Sequence, residues 1–242
     1  INFTQIGVLN EHLNFCVKKN KIKGFNSIIL IPKSSKFAFI KEIFNNLNII
    51  DSNILNLILA PFKHFNFSSF KASSIDHNLD KSFNLSVSSP QSKIYQDFKK
   101  KFNNDECFNL KLDYLEREKK KFSQENKELD LNKLIVFHHR EKYYLNTSDL
   151  RGSKIENYAD GINFLLKEGY SIIRLVNDKS KNNFLSHKNY KEYSIENLSN
   201  KKSQYFLIKN CRGFIGQPSG PVSIATLFDK PIMETNVCGP RV

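Results

Sequence analysis

The sequence predicts an α/β protein made of two domains with parallel sheets, of which the C-terminal one is Rossmann-like. Short apolar runs of strand length alternate with segments of helical periodicity, and this alternation is typical of parallel strands joined by helices. Two strand-helix-strand units follow one another after residue 134. The chain of 242 residues is 40% hydrophobic, which suffices for one large core or two smaller ones. We expect the domains to span residues 1–125 and 126–242.

The N-terminal domain is expected to begin with a β-α-β-α succession. The expected elements are a strand at 3–9, a helix at 11–21, a buried strand at 26–31 (NSIILI) and a helix at 37–46. Residues 64–104 are rich in Ser, Asn, Phe and Lys, which predicts a loop-rich connection with a helix around 91–102. The charged segment 110–128 predicts a helix that leads from one domain into the next.

The C-terminal domain has clearer patterns. Ser153 and Glu156 fit a capping box, and apolar residues then recur at helical spacing until Gly169, a suitable residue to end a helix. The other expected elements are strands at 134–137 (LIVF), 170–176 (YSIIRLV) and 212–215, helices at 203–209 and 221–228, and a last strand that ends at Glu234. The sequence starts without Met and stops just after this strand, so we expect neither end to be a natural terminus and the C-terminal domain to be truncated.

Charge and cysteine usage narrow the class of protein. The formal net charge is +13, but the basic runs are short and lack Arg-rich or aromatic-interleaved motifs, so we expect no nucleic-acid partner. The four cysteines form no CxxC pair, which argues against a zinc site or disulfides and favours a reducing compartment, the cytoplasm. Polar residues interrupt the longest apolar stretch, 49–62, so no transmembrane helix is expected, whereas peripheral attachment to a membrane stays open.

Glycine and proline are concentrated in residues 213–232 (GFIGQPSGPVSIATLFDKPI), where a strand is followed by a turn and a helix. Pro221 suits the first helical turn, and Ser219 or Gly220 is placed to cap it. The free N–H groups at this helix start would face the ligand edge of the sheet, where they suit an anion such as a diphosphate. Gly216 and Gly220 would let a ligand approach the backbone closely. The alternative is a plain β-α turn that binds nothing.

A second group of polar residues follows the strand at 134–137. His138, His139 and Arg140 lie at the same edge of the sheet as the turn if the strands are parallel, and Arg151 lies near the next helix start. Arginine suits bidentate binding of phosphate and could neutralise charge on a leaving diphosphate. Adjacent side chains on an extended chain point in opposite directions, so the two histidines do not suit a shared metal. We expect one to be packed and the other to face the cleft.

Three segments carry a resemblance to a known family: LIVFHHREKYYL, LRGSKIENYADGINFLLKEGYSIIRL and CRGFIGQPSGPVSIATLFDKPIMETN. They resemble a family of bacterial glycosyltransferases of surface-polysaccharide clusters, whose members have a His-x-Arg motif after a strand and a Phe-Ile-Gly-x-x-Ser-Gly turn. The resemblance covers residues 134–236. The Ser-Gly turn is also similar to the donor-binding turn of heptosyltransferases, and the His-x-Arg loop is similar to that of bacterial fucosyltransferases. The resemblance implies the GT-B architecture, in which two Rossmann-like domains face a cleft.

The resemblance also implies roles for residues at matching positions. Arg140 of the His-x-Arg pair would contact the donor phosphate, and Ser219 with Gly220 would cradle it. The donor-binding residues implied in this way are His138, Arg140, Arg151, Asn157, Gln217, Ser219, Gly220 and Glu234.

The sequence also offers a candidate for the catalytic base. An inverting transfer needs a base that takes the proton of the acceptor hydroxyl, and Glu11 is expected to follow the first strand and so to face the cleft. The alternative is a helix-start carboxylate that only interacts with the helix dipole. The sequence has no Asp-x-Asp motif of the kind that metal-dependent sugar transferases use, and Glu128-Leu129-Asp130 is the nearest match. A mechanism without a metal or another cofactor is therefore favoured.

Taken together, these features predict a glycosyltransferase that moves a sugar from a nucleotide-sugar donor to a glycan or lipid-linked acceptor during the synthesis of cell-surface polysaccharide. The enzyme would act in the cytoplasm, and its peripheral association with the inner membrane stays open. Two other functions also stay open. One is a sugar-nucleotide epimerase, which needs no acceptor, and the other is a non-catalytic module that binds a nucleotide sugar or a glycan.

Overall fold

The computed structural model describes residues 6–26, 28–31, 38–55, 66–67, 70–71, 93–102, 107–140, 152–177, 184–196 and 198–236. The chain divides into two compact units between Tyr114 and Leu115. This division lies inside the charged helix that the sequence predicts between the domains. The predicted domain limits of 1–125 and 126–242 stay a prediction.

The N-terminal unit contains two parallel strands and helices that pack beside each other. Its elements are α1 (Ile6–Ile22), β1 (Ile28–Ile31), α2 (Ile40–Ile43), β2 (Asn48–Asp51), β3 (Asn66–Phe67), β4 (Phe70–Lys71) and α3 (Lys93–Lys101). Strands β1 and β2 pair in parallel, and β3 and β4 pair in antiparallel orientation. Helix α1 packs against α3, where the Nζ atom of the buried Lys18 lies 5.3 Å from the ring centre of Phe98.

The start of the chain differs from the prediction of a strand at 3–9. Residues 6–9 form the first turn of α1, so the predicted strand is wrong there, and residues 3–5 lie outside the described part. Leu9, Leu13 and Val17 are buried four residues apart, which is the spacing of one helix face. The apolar run at the start therefore continues the buried face of a helix.

The other N-terminal predictions compare as follows. The strand at 26–31 and the helix at 91–102 are confirmed as β1 and α3. The helix predicted at 37–46 is shortened to α2, because the backbone becomes extended at Phe44, which forms an isolated antiparallel bridge with Leu110.

The C-terminal unit contains a five-stranded sheet with helices between its strands. After α4 (Leu112–Glu125), which contains the division, the elements are β5 (Leu134–His138), α5 (Ala159–Lys167), β6 (Ser171–Val176), β7 (Tyr190–Ser194), α6 (Leu198–Asn210), β8 (Gly213–Gly216), α7 (Gly220–Leu227) and β9 (Ile232–Glu234). A 3-10 turn at Ile155–Tyr158 precedes α5. The predicted strands at 134–137, 170–176 and 212–215 and the predicted helices at 110–128, 203–209 and 221–228 are therefore confirmed.

All five strands are parallel and follow the order β7-β6-β5-β8-β9. The chain thus builds the sheet outward from β5 in one direction and then returns to β8 on the other side of β5. This is the strand order of a Rossmann-like fold. Strands β5 and β6 are buried along their whole length, as expected for a parallel sheet covered on both faces. The predicted Rossmann-like C-terminal sheet is confirmed.

The end of helix α5 agrees with the prediction from the sequence, but its start does not. Gly169 has a positive φ of 78°, and the N–H groups of Gly169 and Tyr170 donate to the carbonyls of Leu166 and Leu165 in a Schellman motif. The predicted capping box is wrong. A 3-10 turn precedes the helix. The N-cap residue of this 3-10 turn is Lys154, which makes no side-chain cap hydrogen bond.

Strand β7 is not predicted from the sequence, because Lys191 and Glu192 interrupt its apolar pattern. Arg174 of β6 and Glu192 of β7 lie opposite each other in register, and the Arg174 Nη1 atom is 2.6 Å from Glu192 Oε1. Both side chains are buried. The charged partner in the neighbouring strand therefore allows a glutamate to lie inside the sheet.

Within the described ranges, no helix is long and apolar enough to cross a membrane. The same ranges contain no group of three or more His, Cys, Asp or Glu side chains that could hold a metal ion.

Candidate functional site

The order of the sheet locates the candidate site at the carboxyl ends of β5 and β8. These strands are neighbours, yet the chain leaves β5 toward one side of the sheet and leaves β8 toward the other. Such a point of reversal opens a crevice where ligands bind in open α/β sheets. His138 at the end of β5 lies opposite Gly216 at the end of β8. The loop after β5 and the Gln-Pro-Ser-Gly turn after β8 thus begin at one edge, as predicted.

The turn after β8 presents the start of helix α7. Ser219 is the N-cap residue and has an extended backbone, but its side chain makes no cap hydrogen bond. Its Oγ atom is buried and has no hydrogen-bond partner among the described residues. The first N–H groups of a helix carry partial positive charge and bind anions. A hydroxyl with unused capacity therefore lies beside a helix start at the ligand edge of the sheet.

Gly216 has a packing role that differs from the expected one. A Cβ atom at this position would lie 2.6 Å from the His138 carbonyl oxygen and 2.8 Å from the Phe214 ring. The glycine is therefore needed for the close approach of β8 to β5, and this need is independent of any ligand.

Both histidines at the carboxyl end of β5 are buried, whereas the sequence predicts that one of them is packed and the other faces the cleft. His138 Nδ1 lies 3.1 Å from the Leu175 carbonyl oxygen, which fits an N–H donor at that atom. The His139 ring stacks on Phe137 with 5.6 Å between ring centres, and it also packs against Tyr158. Packing at the sheet edge thus covers both imidazoles.

Burial keeps both imidazoles neutral at pH 7. Desolvation is the main reason that the pKa of His138 is lowered to about 4; the hydrogen bond to Leu175 opposes this shift, and the positive charges of Arg140 and Arg174 add to it. Desolvation likewise lowers the pKa of His139 to about 3, with smaller contributions from Arg174 and His138. Among the described residues that follow β5 in the loop, the fixed positive charge is therefore that of Arg140, which is half-buried.

Gln217 joins the loop after β5 to the turn after β8. Its side chain is fully buried, and its Oε1 atom accepts a hydrogen bond of 2.6 Å from the backbone N–H of Arg140. Its Nε2 atom donates to Ser153 Oγ at 2.7 Å and to Tyr158 Oη at 2.9 Å. Sequence reasoning missed Ser153 and Tyr158 as members of this site, because they lie about sixty positions from their glutamine partner.

The remaining predicted site residues are distributed as follows. Gly220 is the first residue of α7, and Glu234 is the last residue of β9, half-buried at the same edge of the sheet. Asn157 is exposed in the 3-10 turn before α5. Arg151 lies outside the described residues. Glu11 lies within α1 in the N-terminal unit, so it does not directly follow a strand formed by residues 6–9. Its role as a base stays a prediction, but the position directly after a strand, which suggested this role, is not observed for residues 6–9.

Comparison with solved structures finds glycosyltransferases with a similar fold. The glycosyl transferase family 9 structure from Veillonella parvula aligns with a TM-score of 0.61 at 10% sequence identity, covering 96% of this chain and 78% of that chain. The E. coli ADP-heptose LPS heptosyltransferase II aligns with a TM-score of 0.58 at 12% identity, covering 96% of this chain and 82% of that chain. No protein-family model and no curated protein matches the sequence. At these identities the similarity concerns the α/β fold.

Proposed function

We propose that this chain is a glycosyltransferase of GT-B type, which transfers a sugar from a nucleotide-sugar donor to a glycan or lipid-linked acceptor in the synthesis of cell-surface polysaccharide. The observation that carries the proposal is that the Ser219 turn and the Arg140 loop meet at the point where the strand order reverses, joined by the hydrogen bond from the Arg140 N–H to Gln217 Oε1. The fold similarity to two glycosyltransferases supports it.

The chemistry of this edge suits a diphosphate. The first N–H groups of α7 would donate to phosphate oxygens, and the Ser219 hydroxyl has a free hydrogen-bonding capacity to add. The Arg140 guanidinium would pair with the phosphate oxygens and stabilise the charge that builds up when the diphosphate leaves. Helix and arginine together supply positive charge, so the proposed transfer does not depend on a metal.

The proposal includes further residues. His138, Arg151, Asn157, Gly220 and Glu234 remain proposed donor contacts, and Glu11 remains the proposed base for the acceptor hydroxyl. We further propose that the enzyme acts in the cytoplasm; its peripheral association with the inner membrane, where a lipid-linked acceptor would be available, stays open.

A thermal-shift screen tests the proposal. The purified chain is mixed with GDP, UDP, ADP, CMP and dTDP sugars, and the screen is repeated with Arg140→Ala. A ligand at about 100 times its Kd should stabilise the protein by about 2.7 kcal/mol. We expect one nucleotide class to stabilise the wild type and to stabilise Arg140→Ala much less.

Arg212→Ala is the matched control. Arg212 precedes β8 at the amino end of the strand, where its guanidinium lies 6.0 Å from the ring centre of Tyr170. Its loss removes an arginine from the same unit but at the opposite edge of the sheet, so the response to nucleotide should persist. If no nucleotide stabilises the wild type, or if Arg140→Ala responds as strongly as the wild type, the proposed donor site is refuted. A glycan-binding module then becomes the better hypothesis.

A further inference from the structure

The Gln217 side chain forms hydrogen bonds to other residues of the protein through both its oxygen and its nitrogen. Its oxygen accepts from the Arg140 N–H, and its nitrogen donates to the hydroxyls of Ser153 and Tyr158. All three distances lie between 2.6 and 2.9 Å, and the residue has no exposed surface. These three partners belong to the loop after β5 and to the segment that leads into α5. One amide thus connects three segments that meet at the ligand edge.

Neighbouring hydrogen bonds tie the same segments together. The Gln217 N–H donates to the His138 carbonyl at 3.2 Å, and the Ser153 N–H donates to the Arg140 carbonyl at 2.9 Å. The Tyr158 hydroxyl lies 3.4 Å from Thr235 Oγ1, just beyond β9. The Gln217 side chain contacts the backbone N–H of Arg140 and the two hydroxyls at the same time, because an amide carries both an acceptor and donors.

We propose that Gln217 is a positioning residue, which holds the start of the Arg140 loop at a fixed place relative to the Ser219 turn. This inference rests on the proposed function, because it concerns the two groups that would bind the donor diphosphate. It replaces the direct donor contact that the family resemblance implies for Gln217, since the amide is already occupied by Arg140, Ser153 and Tyr158.

The physical reason is preorganisation. A diphosphate that bridges Arg140 and the start of α7 would need these two groups at a fixed distance from each other. If the loop were ordered only upon binding, the free-energy cost of ordering it would reduce the affinity. We call the hydrogen-bonded Gln217 side chain the latch. Only Pro218 separates Gln217 from Ser219, so the connection from the latch to the turn is short. A latch formed before the ligand arrives removes most of this cost.

The first test needs no ligand. Gln217→Leu keeps a side chain of similar size but removes the acceptor of the Arg140 N–H. We expect the Arg140 amide to exchange with solvent at least about tenfold faster in Gln217→Leu than in the wild type, as measured by NMR. Gln217→Glu retains an oxygen for this N–H, so slow exchange at Arg140 should be rescued in that variant. A purely structural role would instead speed exchange throughout the C-terminal sheet.

Gln204→Leu is the matched control. Gln204 is a buried glutamine of α6 in the same unit, and its Oε1 atom has no hydrogen-bond partner within the described ranges. The same substitution there should leave the exchange rate of the Arg140 amide unchanged. Unchanged exchange at Arg140 in Gln217→Leu, or equal acceleration in Gln204→Leu, would overturn the latch.

The second test measures binding. Titration with inorganic pyrophosphate, ADP, GDP and UDP should give a Kd at least about tenfold weaker for Gln217→Leu, and an unchanged Kd for Gln204→Leu. Equal affinity of Gln217→Leu and the wild type, despite faster exchange at Arg140, would overturn the positioning role. If the wild type binds none of these probes, the proposed function fails, and the exchange data alone then decide for or against the latch.

Discussion

Two places in the C-terminal sheet treat buried polar groups differently: the middle, meaning here the midpoint along strands β6 and β7, and the carboxyl edge, where β5 and β8 end. In the middle, the side chains of Arg174 and Glu192 are 0% and 2% exposed and form an ion pair across β6 and β7. The Glu192 carboxylate also accepts from the Tyr190 hydroxyl at 3.2 Å and from the Phe184 N–H at 3.3 Å. At the edge, a neutral amide holds the Arg140 loop, and Ser219 Oγ has no hydrogen-bond partner in the part of the chain that the structure describes.

Polar groups in the middle therefore fix the pairing of strands, whereas polar groups at the edge can interact with a ligand. A buried charge is costly unless it is paired, so the ion pair ties β7 to β6 at one register. A slip of β7 by one residue would leave Glu192 on the other face of the sheet, away from Arg174. At the edge, unused capacity is the feature that a ligand can exploit. We therefore expect substitutions in the middle to act on stability and substitutions at the edge to act on binding.

The largest effect is expected for Arg174→Met. This variant leaves the Glu192 carboxylate buried without its cation, and the loss of one partner of a buried pair typically costs about 3 to 5 kcal/mol. Unfolding in urea, followed by circular dichroism, measures this loss.

The double variant Arg174→Met with Glu192→Leu is the control. It replaces both charges by apolar side chains, so it should be clearly more stable than Arg174→Met alone. A loss below about 1 kcal/mol in Arg174→Met would contradict the view that the pair holds β7.

A smaller effect, about 3 kcal/mol over the one pH unit between about pH 6 and about pH 5, is expected from acid, through the two histidines at the edge. Burial lowers their pKa to about 4 in His138 and about 3 in His139, whereas both bind protons below pH 6.5 in the unfolded chain. Acid therefore favours the unfolded state. The stability is present in full above pH 6.5 and falls as the pH drops toward these lowered values, by about 1.4 kcal/mol per pH unit for each histidine.

His139→Phe isolates one of these contributions. Phenylalanine keeps an aromatic ring against Phe137 and Tyr158 but cannot bind a proton. The slope of unfolding free energy between about pH 6 and about pH 5 should become shallower by about 1.4 kcal/mol per pH unit. Carboxylates elsewhere titrate alike in both proteins, so the difference in slope belongs to His139. An unchanged slope would mean that His139 is accessible to protons in the folded state.

The middle and the edge also differ in what the sequence could predict. Strands β5 and β6 follow from their continuous apolar runs, and the turn before α7 follows from its glycines and prolines. The edge position of the candidate site then follows from parallel topology alone. Strand β7 could not be predicted in this way, because Glu192 is compatible with burial only when Arg174 lies opposite it.

The fine structure of the site depends on contacts between distant parts of the chain. The pattern of Ser153 and Glu156 predicts a local cap, yet the Ser153 hydroxyl bonds to Tyr158 and Gln217. The local pattern does not indicate that Gln217 is a partner of Ser153, because the two residues are close only through the pairing of β8 with β5. The strand expected before Glu11 fails for a related reason, since an apolar run of a few residues fits a helix face as well as a strand.

The smallest effect on stability is expected for Ser219→Ala, which is the sharpest test of the edge. Loss of an N-cap serine usually costs about 1 kcal/mol, but Ser219 makes no cap bond, so we expect less than about 0.5 kcal/mol without ligand. Ser203→Ala is the control, because the Ser203 hydroxyl donates to the buried Glu118 carboxylate at 2.5 Å and its loss should cost about 1 to 3 kcal/mol. Stabilisation by the nucleotide should fall in Ser219→Ala and persist in Ser203→Ala. The reverse pattern would show that the Ser219 hydroxyl serves the fold and would remove it from the proposed donor site.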